Sequence, residues 1–404
     1  MKPRLYLAVS AAIAVSTVYF AQPLLVTMGQ DLGLSTSTVG LFVTVTQIGY
    51  VLGLFFLVPL GDRLPRRRLI RTQFVLLAGA LLIVGFAQNA VMLLIGLAAV
   101  GGLAVVTQSV VAFGASLSAP AERGRTVGAI TTGVVLGILL ARTASGALTD
   151  VAGWRAIYLV ACAFCLLIAA TLVQSPPQPR TDLSYGALLR SIIDLWREEP
   201  LFRVAGLRAF FIFASFSTLW SAVALPLTDQ GLSHTAIGAF GLIGAAGAIV
   251  SGPAGRLADR GHGQRVTSIA ALLLVASWAV IVWTPKSLLA LAIGAVVLDL
   301  ATGAIHVTNQ SRIYPLRPDA GSRLIGGYMI FYSIGSGLGA IASTWLYVRA
   351  GWTGVSVLGA AFGVGALLTA VPTGRLTSRA SRSSGSFPSQ SSGSRRPAAR
   401  TSGS

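Results

Sequence analysis

The sequence contains few charged residues and few of the side chains that build most enzyme sites. Charged residues account for 10% of the chain, whereas an ordinary soluble domain has about 25%. Two cysteines and three widely separated histidines exclude a disulfide framework and a zinc site made from these ligands. The phosphate-binding pattern Gly-x-x-x-x-Gly-Lys-Ser/Thr is also absent, which excludes ATP as a direct energy source through that motif. We therefore expect neither a soluble enzyme nor a bound metal or cofactor.

Hydrophobic residues, by contrast, make up 54% of the 404 residues. Because the hydrocarbon core of a bilayer is about 30 Å thick, a spanning helix needs about 20 apolar residues. Stretches of this kind predict an all-α membrane protein with twelve transmembrane helices, called helix 1 to helix 12 in chain order, near 6–26, 38–60, 69–87, 90–115, 126–148, 154–174, 202–226, 234–255, 266–284, 287–311, 324–348 and 352–371. Pro23 lies inside helix 1 and should kink it.

The net charge of +18 follows the predicted topology of the chain. Cytoplasmic loops are enriched in Lys and Arg. With the N-terminus inside, only Arg155, Lys286 and Arg349 lie outside and Arg142 lies within a span, so 26 of the 30 basic residues (30 less these four) are cytoplasmic or flank that side. We therefore expect both termini in the cytoplasm and no nucleic-acid partner.

The two halves of the chain repeat each other at a spacing of 198 residues. The segment 33–35 recurs at 231–233, and the matched single positions include Gly40 with Gly238, Arg125 with Arg323, Gly137 with Gly335, and Trp154 with Trp352. The repeat divides the chain into an N-terminal six-helix bundle (1–174) and a C-terminal one (201–372). Since each half has an even number of helices, the repeat is parallel, an arrangement that transporters use to place a site between two halves.

Two segments lie outside the bundles. Segment 175–200 carries apolar residues at helical spacing, which indicates either an amphipathic helix on the cytoplasmic membrane surface or a plain linker helix. Residues 373–404 are rich in Ser, Arg, Gly and Pro and nearly free of apolar residues, so we expect a disordered basic cytoplasmic tail.

The loop after helix 2 carries a recognisable motif. It reads Val-Pro-Leu-Gly-Asp-Arg-Leu-Pro-Arg-Arg-Arg over 58–68, and a second copy, Gly-Arg-Leu-Ala-Asp-Arg-Gly, occupies 255–261. Together with the twelve spans and the repeat, these residues resemble the major facilitator superfamily. In that family the loop between helices 2 and 3 carries the signature Gly-x-Leu-Ala-Asp-Arg-x-Gly-Arg-Arg. The resemblance covers about residues 5–372. It implies two pseudo-symmetric six-helix bundles and a multi-pass secondary transporter in the plasma (inner) membrane of a bacterium.

The resemblance also implies a role for the motif in gating. By the family pattern, Asp62 faces the start of helix 11 and Asp259 faces the start of helix 5, where the helix dipole favours a negative charge. Contacts of this kind would close the cytoplasmic side. The predicted gating residues are Asp62, Arg63, Arg66, Arg67, Asp259 and Arg260. The alternative is that these charges only fix the insertion topology.

Helix 5 resembles the antiporter signature Gly-x-x-x-Gly-Pro-x-x-Gly-Gly of drug:proton exporters. Residues 137–146 read Gly-Ile-Leu-Leu-Ala-Arg-Thr-Ala-Ser-Gly, so Arg142 stands at the proline position. A charge inside the bilayer costs several kcal/mol and usually marks a transport pathway. Arg142 is therefore a candidate for holding an anionic substrate.

Helix 10 carries the second intramembrane charge. Asp299 lies near the midplane, and Thr302 and His306 follow on the same helix face. Three roles for Asp299 stay open: carrying the coupled proton, binding a cationic substrate, and neutralising Arg142. His306 is a candidate proton relay because imidazole titrates near neutrality.

Neutral polar residues on other helices are expected to complete an amphipathic cavity for a small organic molecule. They are Tyr19, Gln22, Gln47, Gln108, Trp220, Tyr328 and Tyr332. The alternative for each is a hydrogen bond between helices. Together these features predict a monomeric secondary transporter that works by alternating access and exports a drug or metabolite in exchange for protons. The alternatives are a proton symporter or uniporter that imports a sugar, nucleoside or organic acid, and a non-transporting receptor or scaffold.

Overall fold

The computed structural model describes residues 3–118, 122–172, 183–316 and 321–370, and every regular element in these ranges is helical. The helices keep the numbers given above. Their bounds are helix 1, Pro3–Ser16 and Leu25–Asp31; helix 2, Gly40–Phe56; helix 3, Arg66–Gly85; helix 4, Ala90–Ala104 and Val106–Ser116; helix 5, Arg123–Ala152; helix 6, Arg155–Thr171; helix 7, Pro200–Ala222 and Ala224–Asp229; helix 8, His234–Ala239 and Ala245–Leu257; helix 9, Gly263–Ile281; helix 10, Leu288–Ile313; and helices 11 and 12, within Gly321–Ala370.

The number of helices agrees with the twelve expected. Within the described ranges, nine helices are long and apolar enough to cross a membrane, and one of them, Arg323–Ala370, contains helices 11 and 12 joined at Gly351. Arg4–Ser16 and Arg155–Thr171 are shorter apolar helices at the positions of helices 1 and 6. Helix 1 breaks at the predicted place, since a 3-10 turn at Gln22–Leu24 contains Pro23 and separates its two segments. Proline removes a backbone donor, which explains the break.

The internal repeat is visible as equivalent backbone contacts in the two halves. A Cβ on Gly137 would lie 2.4 Å from the carbonyl oxygen of Ala12, and one on Gly335 would lie 2.1 Å from that of Phe210. The contacted residues, Ala12 and Phe210, are also 198 residues apart, so helices 1 and 5 pack against each other as helices 7 and 11 do. The turns repeat as well: Gly33 and its counterpart Gly231 have φ values of 66° and 77°. Only glycine adopts such angles without steric cost.

Apolar clusters form the cores of the two bundles. One is built from residues 7–172 together with Ala340, a second from residues 212–370, and a third, smaller one from residues 195–328 of the linker helix and the C-terminal bundle. Each bundle therefore buries its own apolar surface, which leaves a seam between them. The fold is thus all-α, with two pseudo-symmetric six-helix bundles.

At the seam the helices approach each other through glycine. A Cβ on Gly238 of helix 8 would lie 2.4 Å from the carbonyl oxygen of Arg142, and one on Gly40 of helix 2 would lie 2.6 Å from that of Ala340. These two contacts are again related by the 198-residue repeat. The pair places Arg142 and Ala340 at equivalent positions, so only the N-terminal half carries a charge there.

The helix directions define two faces of the molecule. The terminal face carries the start of helix 1 and the loops after helices 2, 4, 8 and 10, and the opposite face carries the loops after helices 1, 3, 5, 7, 9 and 11. The linker helix, Tyr185–Glu198, lies on the terminal face, where Arg323 donates to Ser191 Oγ at 2.8 Å and Tyr185 donates to the Phe56 carbonyl at 2.7 Å. It thus contacts both bundles. Residues 175–182 of the predicted linker and the tail 373–404 lie outside the described residues.

Candidate functional site

A cavity of about 830 Å³ lies between the two bundles, within the range typical of small-molecule sites. Helices 1, 2, 4, 5, 7, 8, 10 and 11 line it. The lining on helix 5 runs from Thr131 to Arg142. On helix 10 it runs from Asp299 to Ser311 and continues to Pro315 just beyond the helix, so the cavity extends from mid-helix toward the terminal face.

Eight of the eleven predicted pathway residues line this cavity. They are Tyr19, Gln47, Gln108, Arg142, Asp299, Thr302, His306 and Tyr332. The other three stand behind lining residues and hydrogen-bond to them: Gln22 to Arg142, Trp220 to Asp299, and Tyr328 to His306. The structure therefore brings the whole predicted set to one place, although the residues come from seven helices.

Arg142 is held at the seam by polar and aromatic neighbours. It is 3% exposed, and its Nε donates to Gln22 Oε1 at 2.7 Å. Its guanidinium carbon lies 4.3 Å from the ring centroid of Trp220, 5.4 Å from that of Tyr19 and 5.7 Å from that of Phe216. Contacts between a cation and aromatic faces stabilise a guanidinium removed from water. One donor atom, Nη2, has no hydrogen-bond partner among the described residues.

Asp299 faces the same part of the cavity from helix 10. It is also 3% exposed, and its Oδ1 accepts a hydrogen bond from Trp220 Nε1 at 3.2 Å. Its Oδ2 and the hydroxyl of Thr302 have no partner among the described residues. A Cβ on Gly244 would lie 3.2 Å from Asp299 Oδ2 and 3.9 Å from Arg142 Nη1, so at most 7.1 Å (3.2 Å plus 3.9 Å) separates these two atoms.

Arg142 and Asp299 nevertheless form no ion pair within 4.0 Å, although both side chains are described. Trp220 contacts both, since its ring packs on the guanidinium and its Nε1 binds the carboxylate. The two charges are therefore close neighbours with space between them.

A hydrogen-bond network leads from the cavity into the C-terminal bundle. His306 Nδ1 lies 3.0 Å from the Tyr328 hydroxyl, and Asn309 Nδ2 donates to the same hydroxyl at 3.4 Å. Asn309 Oδ1 accepts from Arg208 Nη1 at 2.9 Å, and Arg208 Nη2 donates to the Thr369 carbonyl at 2.6 Å. Arg208, one of the 26 basic residues expected on or beside the cytoplasmic side, is 3% exposed and part of this network.

Polar residues of helices 1, 2, 4 and 11 close the cavity from another side. The hydroxyls of Tyr19 and Tyr332 lie 2.5 Å apart and join the two bundles. Gln108 donates to the Tyr50 hydroxyl at 3.5 Å, and Gln47 Oε1 has no partner among the described residues.

The predicted gating residues lie on the terminal face. Asp62 Oδ1 is 3.6 Å from Arg66, and its Oδ2 is 4.0 Å from Nε of Arg323, at the start of helix 11. Arg66 also donates to the Ala112 carbonyl at 3.1 Å, and Arg67 donates to the Leu172 carbonyl at 3.3 Å. The contact between Asp62 and Arg323 therefore joins the two bundles.

The remaining gating residues make no such contact that the structure describes. Arg63 and Arg260 are exposed. The side chain of Asp259 lies outside the described residues, so its expected position at the start of helix 5 stays a prediction.

A cluster on the opposite face was not foreseen from the sequence. The His234 ring bridges the bundles, with Nδ1 2.6 Å from Asp150 Oδ1 and Nε2 2.6 Å from Thr27 Oγ1. Asp150 Oδ2 also accepts from the backbone and side chain of Thr235 at 2.8 and 2.6 Å. The three residues stand at helix ends far apart in the chain, and nothing in the local pattern pairs them.

A second contact on this face lies within the N-terminal bundle. Arg155 Nη1 is 2.6 Å from Asp31 Oδ2, and Trp154 Nε1 donates to the same oxygen at 3.1 Å. Hydrogen bonds from Arg155 and then from Trp154 lower the pKa of Asp31, because they stabilise its charged form.

Comparison with known proteins assigns this architecture. The family model of the Major Facilitator Superfamily matches residues 7–252 and 205–400. The chain is 41% identical to the uncharacterized transporter YgaY of Escherichia coli O157:H7 over 88% of this chain and 91% of that one. It is 31% identical to a Streptomyces coelicolor protein named "Probable transporter SCO4007", with 87% and 86% covered.

A solved structure with a similar fold is that of a bacterial homologue of the human lysosomal transporter Spinster, in an inward-facing and occupied conformation. Its TM-score is 0.71 and its sequence identity 15%, with 91% of this chain and 94% of that chain covered. These relatives are transporters rather than enzymes. The chain belongs to the major facilitator superfamily and is a multi-pass membrane transporter.

Proposed function

We propose that this transporter moves a small organic molecule across the bacterial inner membrane by alternating access and exchanges it for protons during export. The observation that carries the proposal is the cavity between the bundles, where Arg142 and Asp299 each have a buried polar atom without a hydrogen-bond partner in the part of the chain that the structure describes. An unpaired buried polar group costs free energy. A site that keeps two of them is therefore suited to a polar ligand.

Contacts on both faces support alternating access. Asp62 and Arg323 join the bundles on the terminal face, and His234 joins them through Asp150 and Thr27 on the opposite face. Each set consists of a few polar contacts, which can break without exposing a large apolar core. Under the predicted topology, with both termini inside, the terminal face is cytoplasmic.

Proton coupling rests on Asp299. Asp299 lies farther from Arg142 than the two partners of an ion pair do. Its carboxylate therefore does not pair directly with this arginine, and Oδ2 stays available for other partners. Among the three roles, this geometry favours binding of a proton or a substrate group. Export rests on the partial antiporter signature at 137–146.

The second candidate is import by proton symport or uniport. It is favoured by Arg142, which stands at the proline position of the antiporter signature and places a positive charge in the cavity. Such a charge suits an organic acid, taken up together with a proton on Asp299.

The test combines a binding screen with transport in vesicles. Ligands of the purified protein are first identified by thermal shift, because binding to the folded state raises the melting temperature. Each ligand is then followed in proteoliposomes with an imposed proton gradient. We expect movement against the proton flow for exchange, and movement with it for symport.

The matched variants are Asp299→Asn and Asp194→Asn, which remove a carboxylate from the cavity and from the linker helix. We expect the first to abolish proton-driven transport and the second to leave it unchanged. Ligands that bind but never cross the membrane in either direction would contradict the proposal and favour a receptor.

A further inference from the structure

At its mid-helix end the cavity presents two atoms of opposite character, neither of which has a hydrogen-bond partner among the described residues. Arg142 Nη2 can only donate a hydrogen bond, and Asp299 Oδ2, when ionised, can only accept one. Both side chains are 97% buried, since each is 3% exposed. The following inference rests on the proposed transport function and concerns the class of substrate.

The spacing of the two groups excludes their mutual neutralisation by direct contact. Arg142 Nη1 and Asp299 Oδ2 lie at most 7.1 Å apart (3.2 Å plus 3.9 Å through the Gly244 position), yet no pair of their atoms comes within the 4.0 Å of an ion pair. An ammonium and a carboxylate joined by one or two carbon atoms span such a gap when each makes its own hydrogen bond of about 2.8 Å.

A ligand with a single charge would satisfy only one of the two groups. An anion bound to Arg142 would leave the Asp299 carboxylate unpaired beside it, and a cation bound to Asp299 would do the same to Arg142. Buried charges are tolerated when they are paired, and an unpaired one is expensive. The hydroxyl of Thr302, one turn from Asp299, is a third atom without a described partner and can accept from a bound ammonium group.

Apolar side chains of helices 1, 5 and 11 also line the cavity. They include Val15, Val18, Ile138, Leu139 and Met329. A ligand that pairs both charges would therefore place an apolar substituent against this wall. The volume of about 830 Å³ leaves room for a substituent of aromatic size.

We propose that the substrate is a small amphipathic zwitterion, with its anionic group at Arg142, its cationic group at Asp299 and Thr302, and an apolar group against the wall. Apolar α-amino acids and drugs that carry both an amine and a carboxylate belong to this class. The site distinguishes such molecules by requiring both charges.

The experiment compares three related probes on the purified, full-length protein in detergent. They are L-phenylalanine, its methyl ester, which keeps only the cation, and N-acetyl-L-phenylalanine, which keeps only the anion. Affinity is measured by calorimetry and checked by thermal shift. We expect the zwitterion to bind about 10- to 100-fold more tightly than either derivative, the effect of one lost hydrogen bond to a charged group.

Three variants identify the side chain that binds each charged group of the ligand. Arg142→Gln should remove the preference over the ester, and Asp299→Asn should remove the preference over the N-acetyl derivative. Thr302→Val keeps the shape of the side chain and leaves Arg142 and Asp299 in place, so this variant should fold normally. Because it lacks the hydroxyl group, it should bind the zwitterion less tightly than the unmodified protein does.

The results separate this inference from the transport function. Equal affinity for the three probes, or no binding of any of them, overturns the zwitterion proposal. If a ligand of single charge is nevertheless bound and transported, the transport function stands and only the substrate class is wrong. If no ligand of a wider panel crosses the membrane, the transport function itself fails.

Discussion

Gly244 occupies the position between the two charges, and replacing it with alanine tests the substrate site directly. The added Cβ would lie 3.2 Å from Asp299 Oδ2, 3.9 Å from Arg142 Nη1 and 2.8 Å from Leu139 Cδ2. The last contact is with the end of a flexible side chain, which can move aside. The methyl group would then fill the space that a ligand needs to reach both charges.

The size of the effect follows from the contact that is lost. A ligand displaced by a methyl group cannot keep both charged hydrogen bonds, each worth about 1.5–3 kcal/mol. We therefore expect the affinity for a bound ligand to fall about 10- to 100-fold. Gly128→Ala is the matched control, because a Cβ there meets no atom within 4 Å and the residue is exposed.

The assay is calorimetric titration of the full-length protein with L-phenylalanine, or with the tightest ligand found by thermal shift. A Gly244→Ala protein that melts within a few degrees of the unmodified protein and binds with unchanged affinity would refute the placement of the ligand between Arg142 and Asp299. Weaker binding in Gly128→Ala as well would show that the effect is not specific to the site.

Three further predictions concern packing, gating and pH. Gly101→Ala would place a Cβ 1.9 Å from a carbonyl oxygen of helix 2, so thermal denaturation should show that the protein loses about 3 kcal/mol of stability. Gly79→Ala, whose Cβ would meet no atom within 4 Å, should leave the stability unchanged. Equal melting temperatures of the two variants would contradict the helix packing. Asp62→Asn should shift the resting population toward the inward-facing state, and unchanged accessibility of cytoplasmic cysteine probes would refute a gating role. The pKa of Asp31 is lowered in the folded state, so the ionised carboxylate stabilises the fold above about pH 4, and this stabilisation is lost as the pH falls through the lower folded pKa. The difference in melting temperature between the unmodified protein and Asp31→Asn should therefore shrink below about pH 4.

The sequence predicted the features that arise within a single helix or a repeated pattern. Helical spacing placed Asp299, Thr302 and His306 on one face, and all three line the cavity. The break at Pro23 follows from local chemistry, and the equivalence of Gly137 and Gly335 follows from the 198-residue repeat, so both could be predicted from the sequence.

Features that depend on the packing of distant helices were not predictable. The contacts of His234 with Asp150 and Thr27 join three helix ends, and each residue alone has the character of an ordinary loop residue. Arg208 lies in the third turn of helix 7, where its sequence position fits a flanking charge. Its burial depends on Asn309 of helix 10, which supplies the partner that makes it tolerable.

Alternating access itself is tested most directly by distance measurements between spin labels on the two bundles, in lipid nanodiscs and in a background with Cys162 and Cys165 replaced by alanine. One pair, at the exposed positions Val151 and Gln230, reports on the opposite face. The other, at the exposed positions Arg63 and Arg256, reports on the terminal face.

We predict two populations in which one distance lengthens as the other shortens, with Asp62→Asn favouring the long terminal-face and short opposite-face distances. A single fixed distance on each face, or distances that lengthen together, would contradict the account.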